Sequence, residues 1–130
     1  MNLPVLPPPV ARVESLDHEG RGVAHVDGKA IFIEGALPRE LVEYQPSRKK
    51  KNFETAKLLR ILHPSSERIT PRCNFYEICG GCVMQHVDPS LQVAAKQRVL
   101  EDNFARIGKV TPERILPPIY AAQWEYRHRA

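Results

Sequence analysis

Cys73, Cys79 and Cys82 are the chain's three cysteines, and they are set as Cys73-x5-Cys79-Gly80-Gly81-Cys82 with Gln85-His86 just beyond. Thiolates at these spacings can converge on one soft metal centre, and two adjacent glycines let the backbone turn tightly around it. Two metals compete for the site. Cys73, Cys79, Cys82 and His86 together make a complete tetrahedral set for zinc. Alternatively, the three cysteines hold three corners of an iron–sulfur cluster whose fourth ligand comes from elsewhere. Three thiols with no metal are the plain alternative, and their clustering speaks against it. Taken alone, the residue pattern slightly favours zinc, because that site is complete within the chain.

A second set of residues suits a polyanion. Arg48-Lys49-Lys50-Lys51 is followed by Phe53, Lys57 and Arg60, and Glu54 is the one acid from Arg48 to Arg60. Cations at the rim of a small barrel bind phosphates, and an aromatic ring beside them can stack on a base. A solvated basic loop is the plain alternative, and it loses ground if the stretch sits on a barrel of nucleic-acid-binding type. Arg12 and Arg21 are candidates to extend the patch, while Tyr44, Phe32 and Phe104 read as core. His18, His25 and His63 have no partner in sequence.

These residues must be held by few and short elements. The chain has 130 residues, 12 prolines, 42% hydrophobic residues and a net charge of +4. That length bounds it to one small domain with an appendage, or two very small units, and excludes a full doubly wound cofactor domain plus a substrate domain. The prolines break the chain often. The start, MNLPVLPPPV, has neither the basic flank nor the apolar stretch of a signal peptide, and no run approaches a membrane span. With paired thiols and no export signal, a cytoplasmic, monomeric protein with no membrane partner is expected.

Residues 1–9 read as a flexible proline-rich arm. Val10–Leu16, Val23–Val26, Lys29–Ile33, Leu41–Gln45 and Phe53–Leu62 are five strand candidates. Asp27-Gly28 between the second and third is a two-residue hairpin signal. Pro46 to Asn52 reads as a loop, and Phe53–Leu62 is taken as a strand because a fifth strand would close the edges of the other four. The expected fold is therefore mainly β: a small five-stranded barrel of oligonucleotide-binding (OB-like) type over 10–62, with a thin core.

Residues 63–71 read as a linker, and 72–87 as a Cys-rich segment with too few apolar residues to fold on packing alone. Asp88-Pro89 opens one α-helix over 88–108, with Asp as N-cap, Pro at the first helical position and Gly108 as the stop. Leu91, Ala95, Val99, Leu100, Phe104 and Ile107 recur on it at helical spacing. Thr111-Pro112 signals a further short helix, and Trp124 to Ala130 alternates like the opening of a strand. Residues 109–130 thus read as the start of a next, truncated domain.

The run Arg72-Cys-Asn-Phe-Tyr-Glu-Ile-Cys-Gly-Gly-Cys-Val-Met-Gln-His86, with Gln92, Lys96 and Arg106-Ile-Gly108, resembles the iron–sulfur segment of bacterial RNA (uracil-C5) methyltransferases. Gly20-Arg-Gly-Val-Ala24, Ile31-Phe-Ile33 and Gly35-Ala-Leu-Pro38 are similar to the TRAM domain that precedes that segment, and Trp124-Glu-Tyr-Arg127 resembles the strand that follows it. The branch resembled is that of the 23S ribosomal RNA enzymes. The resemblance implies that Cys73, Cys79 and Cys82 bind a [4Fe-4S] cluster whose fourth cysteine lies beyond this sequence. It leaves a ligand role for His86 only under the zinc alternative. It further implies 23S ribosomal RNA as partner and S-adenosylmethionine as methyl donor of the parent enzyme. Such an enzyme needs a cysteine to add to uracil C6 and a carboxylate to take the C5 proton. The three cysteines here belong to the metal motif, and Gly20-Arg-Gly22 is only a hairpin-type break. No catalytic residue is therefore assigned, and the chain is expected to be inactive alone.

Overall fold

The computed structural model describes residues 3–129. Positions 1 and 2 of the expected arm and position 130 of the expected tail lie outside the described residues. The strands are β1 (Val10–Arg12), β2 (Ser15–Leu16), β3 (Gly22–Val26), β4 (Lys29–Glu34), β5 (Leu41–Lys49) and β6 (Phe53–His63). They form one sheet in the order β1-β5-β6-β4-β3-β2. Every neighbouring pair is antiparallel except β4 and β6, which run parallel.

The two edge strands, β1 and β2, belong to the same short stretch of chain. A linker of two residues spans at most about 10 Å, so the sheet must curl until its edges approach. Val13 and Glu14 stitch that junction: the Val13 amide donates to Glu40 O at 2.9 Å and the Glu14 amide to Val23 O at 2.8 Å. The result is an OB-like, curled sheet of six strands. The expected single strand Val10–Leu16 is split, because it leaves β5 for β3 partway along. The expected closure by the last strand is not realised either: β6 lies inside the sheet, between β5 and β4, and the edges meet without a continuous ladder.

The β3–β4 hairpin turns at Asp27-Gly28, both with positive φ (51° and 77°), as a type I′ turn requires. The stretch 46–52, expected to be a loop, is mostly strand: β5 continues to Lys49, and only Lys50–Asn52 turn before β6. Pro46 is tolerated because the pairing register shifts between Pro46 and Arg48, and β1 reaches along β5 only to Glu43.

The core lies inside the curl: Ala11, Val13, Ala24, Ile31, Ile33, Ala36, Val42, Tyr44 and Ala56, with Val26, Leu58 and Ile61 packed against it. It is built largely of small side chains, as a barrel this short allows. Gly22 is required by this packing, since a Cβ there would stand 2.8 Å from both Ala36 O and Val13 Cγ1.

After β6 come α1 (Tyr76–Cys79) and α2 (Pro89–Asn103). Asp88 caps α2 through the Ser90 amide at 2.9 Å, with Pro89 at the start as the sequence demands. The helix ends in a π-helical turn, Phe104–Gly108, and the left-handed residue that stops it is Lys109 (φ 51°), one position past the expected Gly108. No residue of α2 is fully buried. Its inner side contributes Leu91 and Ala95 to a second apolar cluster around Leu16, Leu37 and Val87, joined by Met84. Phe32 and Phe104, expected in the core, are only half-buried. Thr111-Pro112 starts no helix and Trp124–Arg129 forms no strand among the described residues, so those two expectations fail. Each is a local signal with no neighbouring surface here to bury it.

Candidate nucleic-acid interface and cysteine segment

The basic residues gather at one end of the longest hairpin. Arg48 and Lys49 lie on the last turn of pleat of β5, opposite Thr55 and Glu54 of β6, and Lys50 and Lys51 form the tip. All four are exposed. The tip is tied by the Lys50 amide donating to Phe53 O at 2.9 Å, and by a Ser47–Thr55 hydroxyl contact at 3.1 Å. The cations therefore project from an ordered hairpin rather than from a slack loop.

Phe53 stands at the foot of the tip, 38% exposed, and packs edge-to-face on Phe32, with ring centres 5.8 Å apart. Lys57 is also exposed and belongs to the same strand. Arg60 is farther along β6 and is already paired with Glu43 at 2.8 Å, which lowers its value as a phosphate contact. Glu54, the one acid in this stretch, is held by Lys29 at 3.2 Å. Arg21, only a candidate extension in the sequence, packs over the Phe32 ring at 4.8 Å. Arg12 instead donates to Arg39 O at 3.3 Å. Phe32 was missed as a surface residue because Ile31-Phe32-Ile33 is apolar throughout and hides the strand alternation that sends Phe32 outward.

The cysteine segment rests on the barrel through a buried ion pair that sequence reasoning did not find. Glu40 is wholly buried and accepts from Arg68 Nε at 2.7 Å and Nη2 at 2.9 Å. It also accepts from the Leu37 amide at 2.9 Å and the Ser65 amide at 3.2 Å, while Arg68 reaches Gly35 O at 2.6 Å. Burial opposes the Glu40 charge, but the hydrogen bonds from Arg68, Leu37 and Ser65 and the positive charge of Arg68 outweigh it, so its carboxyl sits below the usual range. Arg68 lies in the stretch read as a linker and forms a bridge with Val87. No local pattern marks such a pair, since its members are 28 residues apart.

Cys79 closes α1 and is followed by Gly80 in the left-handed conformation (φ 72°). Cys73 is half-buried, Cys79 and Cys82 are exposed, and all three are free thiols. Their donor chemistry fits a soft metal centre. They are not drawn together, however: among the described residues no group of three or more His, Cys, Asp or Glu is placed to hold a metal ion. His86 is buried under Tyr76, whose hydroxyl meets its Nδ1. Its Nε2 is buried without a hydrogen-bond partner. Burial, helped by the nearby Arg68 charge and opposed by Glu40, pushes His86 down to about 4, so the ring is neutral at pH 7. Gln85 accepts from the Cys73 amide at 3.2 Å, and Gln92 donates to Met84 O at 3.0 Å and Val87 O at 2.9 Å, which binds the loop to α2. A cleft of about 580 Å³ lies between the barrel and this loop, with Arg21, Lys57, Arg68, Cys82 and His86 on its walls alongside acids such as Glu34.

Comparison with known proteins bears on the whole of this arrangement. Residues 11–44 match the TRAM domain family, from the start of the sheet into β5. Over 130 residues, 100% of this chain, the sequence is 58% identical to 28% of the 23S rRNA (uracil(1939)-C(5))-methyltransferase RlmD of Nitrosospira multiformis. The protein of the same name from Dechloromonas aromatica is 55% identical over 122 residues, 94% of this chain and 28% of the relative. That from Chromobacterium violaceum is 60% identical over 124 residues, 95% of this chain and 24% of the relative. The chain thus spans roughly a quarter of the length of the curated relatives it matches.

Proposed function

We propose that this chain, a TRAM domain with an attached cysteine segment and helix, is the RNA-recruiting and iron–sulfur portion of an S-adenosylmethionine-dependent enzyme that forms 5-methyluridine in 23S ribosomal RNA. The observation that carries the RNA-binding half is the ordered basic tip, Arg48 to Lys51, exposed beside Phe53 with its one neighbouring acid already paired. In this reading the phosphate backbone meets Arg48, Lys49, Lys50, Lys51 and Lys57, while Arg60 plays a smaller part because it shares its charge with Glu43. The reaction itself belongs to parts of the enzyme outside these residues, and the chain by itself is inactive. The reading suits a cytoplasmic monomer, and no helix among the described residues is long and apolar enough to cross a membrane.

Replacing Arg48, Lys49, Lys50 and Lys51 together by alanine should weaken binding of a 23S rRNA fragment and flatten its dependence on salt, because each lost phosphate contact removes released counterions. Unchanged affinity with an unchanged salt slope would sink the assignment.

Cys73, Cys79 and Cys82 would hold three corners of a [4Fe-4S] cluster, with the fourth ligand supplied by a residue outside this chain. Bound there, a cluster serves to cross-link the loop, since methyl transfer to uracil C5 is polar chemistry. The support is the donor set: three free thiols on one loop whose apolar content is too low to order it by packing alone. Iron, zinc and sulfide content with a visible spectrum, taken on anaerobically purified protein, tests it. Iron with sulfide and a brown colour supports the cluster. One zinc per chain without colour favours Cys3His coordination through the unpartnered Nε2 of His86. In either case Cys73→Ser should cost the protein its metal and loosen residues 72–86.

A further inference from the structure

We propose that the outer sheet face formed by Phe53, Phe32 and Arg21 stacks on an unpaired base, so that the basic tip takes single-stranded rather than duplex RNA. The proposal rests on the RNA-binding reading and deepens it by naming the form of RNA.

Strand alternation places these rings. Ile31 and Ile33 fill the core, being 2% and 0% exposed, so Phe32 between them emerges on the opposite face. The parallel register pairs Ala30 with Phe53 and Phe32 with Thr55, which sets the two phenylalanines diagonally on that face. Their planes meet at 78°. The guanidinium of Arg21 lies over Phe32 at 4.8 Å and is itself fixed by Asp17 at 2.7 Å and Glu19 at 3.3 Å. Phe32 is thereby buttressed on the Arg21 side, and Phe53 is left as the outermost ring of a rigid ladder. The apolar core is complete on the other face and has no use for it.

The surroundings select the ligand. Four exposed cations, Arg48 to Lys51, stand one residue before Phe53, and the nearby acid Glu54 is taken by Lys29. A surface that offers an aromatic plane next to uncompensated positive charge matches the two halves of a nucleotide, base and phosphate. In a duplex both faces of each base are covered by its neighbours, so a ring standing on a sheet can find a free face only on an unpaired base.

The test uses the 130-residue chain with a short RNA carrying 2-aminopurine, single-stranded or annealed to its complement. The single strand should bind more tightly than the duplex and lose fluorescence on binding. Phe53→Leu keeps an apolar side chain of similar bulk; it should weaken single-strand binding about tenfold and abolish the quench. The salt slope should stay the same, because no phosphate contact is removed. Phe53→Tyr should restore both affinity and quench. Equal or tighter binding of the duplex overturns the proposal, as does a Phe53→Leu protein that binds and quenches like the original. An acidic peptide whose binding falls with Phe53→Leu, while RNA is not quenched, reassigns the face to a protein partner and likewise overturns it. Failure of the unaltered chain to bind any RNA overturns the RNA-binding reading itself, and stacking with it.

Discussion

The curled sheet and the cysteine-bearing half are stabilised by different means. The sheet buries its own core, and its six strands pair into one continuous order between Val10 and His63. The half beyond it buries little among the described residues. Val87 and His86 are its buried residues, and α2 has none. Its hold on the sheet depends on a charged latch, Glu40 with Arg68, and on the small cluster of Leu16, Leu37 and Val87. A curled sheet with its own core can display an exposed basic hairpin at one end.

That contrast breaks most severely at the latch. Glu40→Ala strands Arg68 and the Leu37 and Ser65 amides, and should lower stability by about 3–5 kcal/mol, the usual cost of halving a buried ion pair. Chemical denaturation checks it. A loss under 1 kcal/mol would mean that the two regions do not depend on their junction.

Acidification should act on the same junction. The neutral, buried His86 sits at about 4 in the folded chain against 6.5 for a free histidine, so the unfolded chain binds more protons between those values. Its contribution, on the order of 3 kcal/mol, is present above pH 6.5 and is lost as pH falls through that window. Glu40 adds to the effect at lower pH: its depressed carboxyl contributes above the normal carboxylate range and is lost as pH falls through the folded value. Thermal midpoints measured from pH 7 to pH 4 should therefore fall, and a flat profile would contradict the burial of His86.

The third prediction separates the halves most finely. Gly20 has φ 77°, and a Cβ there would meet Val83 O at 2.7 Å. Gly20→Ala should cost about 1–3 kcal/mol. Hydrogen exchange should quicken at residues 83–88 while β3 to β6 stay protected. Equal loosening of both regions would show that they unfold as one unit.

Much of this was legible in the chain because it depends on neighbours in sequence. Alternation and turn chemistry determined the β3–β4 hairpin at Asp27-Gly28, and capping determined where α2 begins, since both are set within a few residues. The charge of the tip and the spacing of the cysteines were equally plain. Tertiary structure alone decided that Val10–Leu16 would serve both edges of the sheet, that β6 would lie between β5 and β4, and that β5 would run on through Arg48 and Lys49. It also decided that Glu40 would find Arg68, and that Phe53 would pack against the half-buried Phe32. Those outcomes follow from which distant surfaces meet when the sheet curls, and the free energy of such meetings is carried by no local pattern of residues.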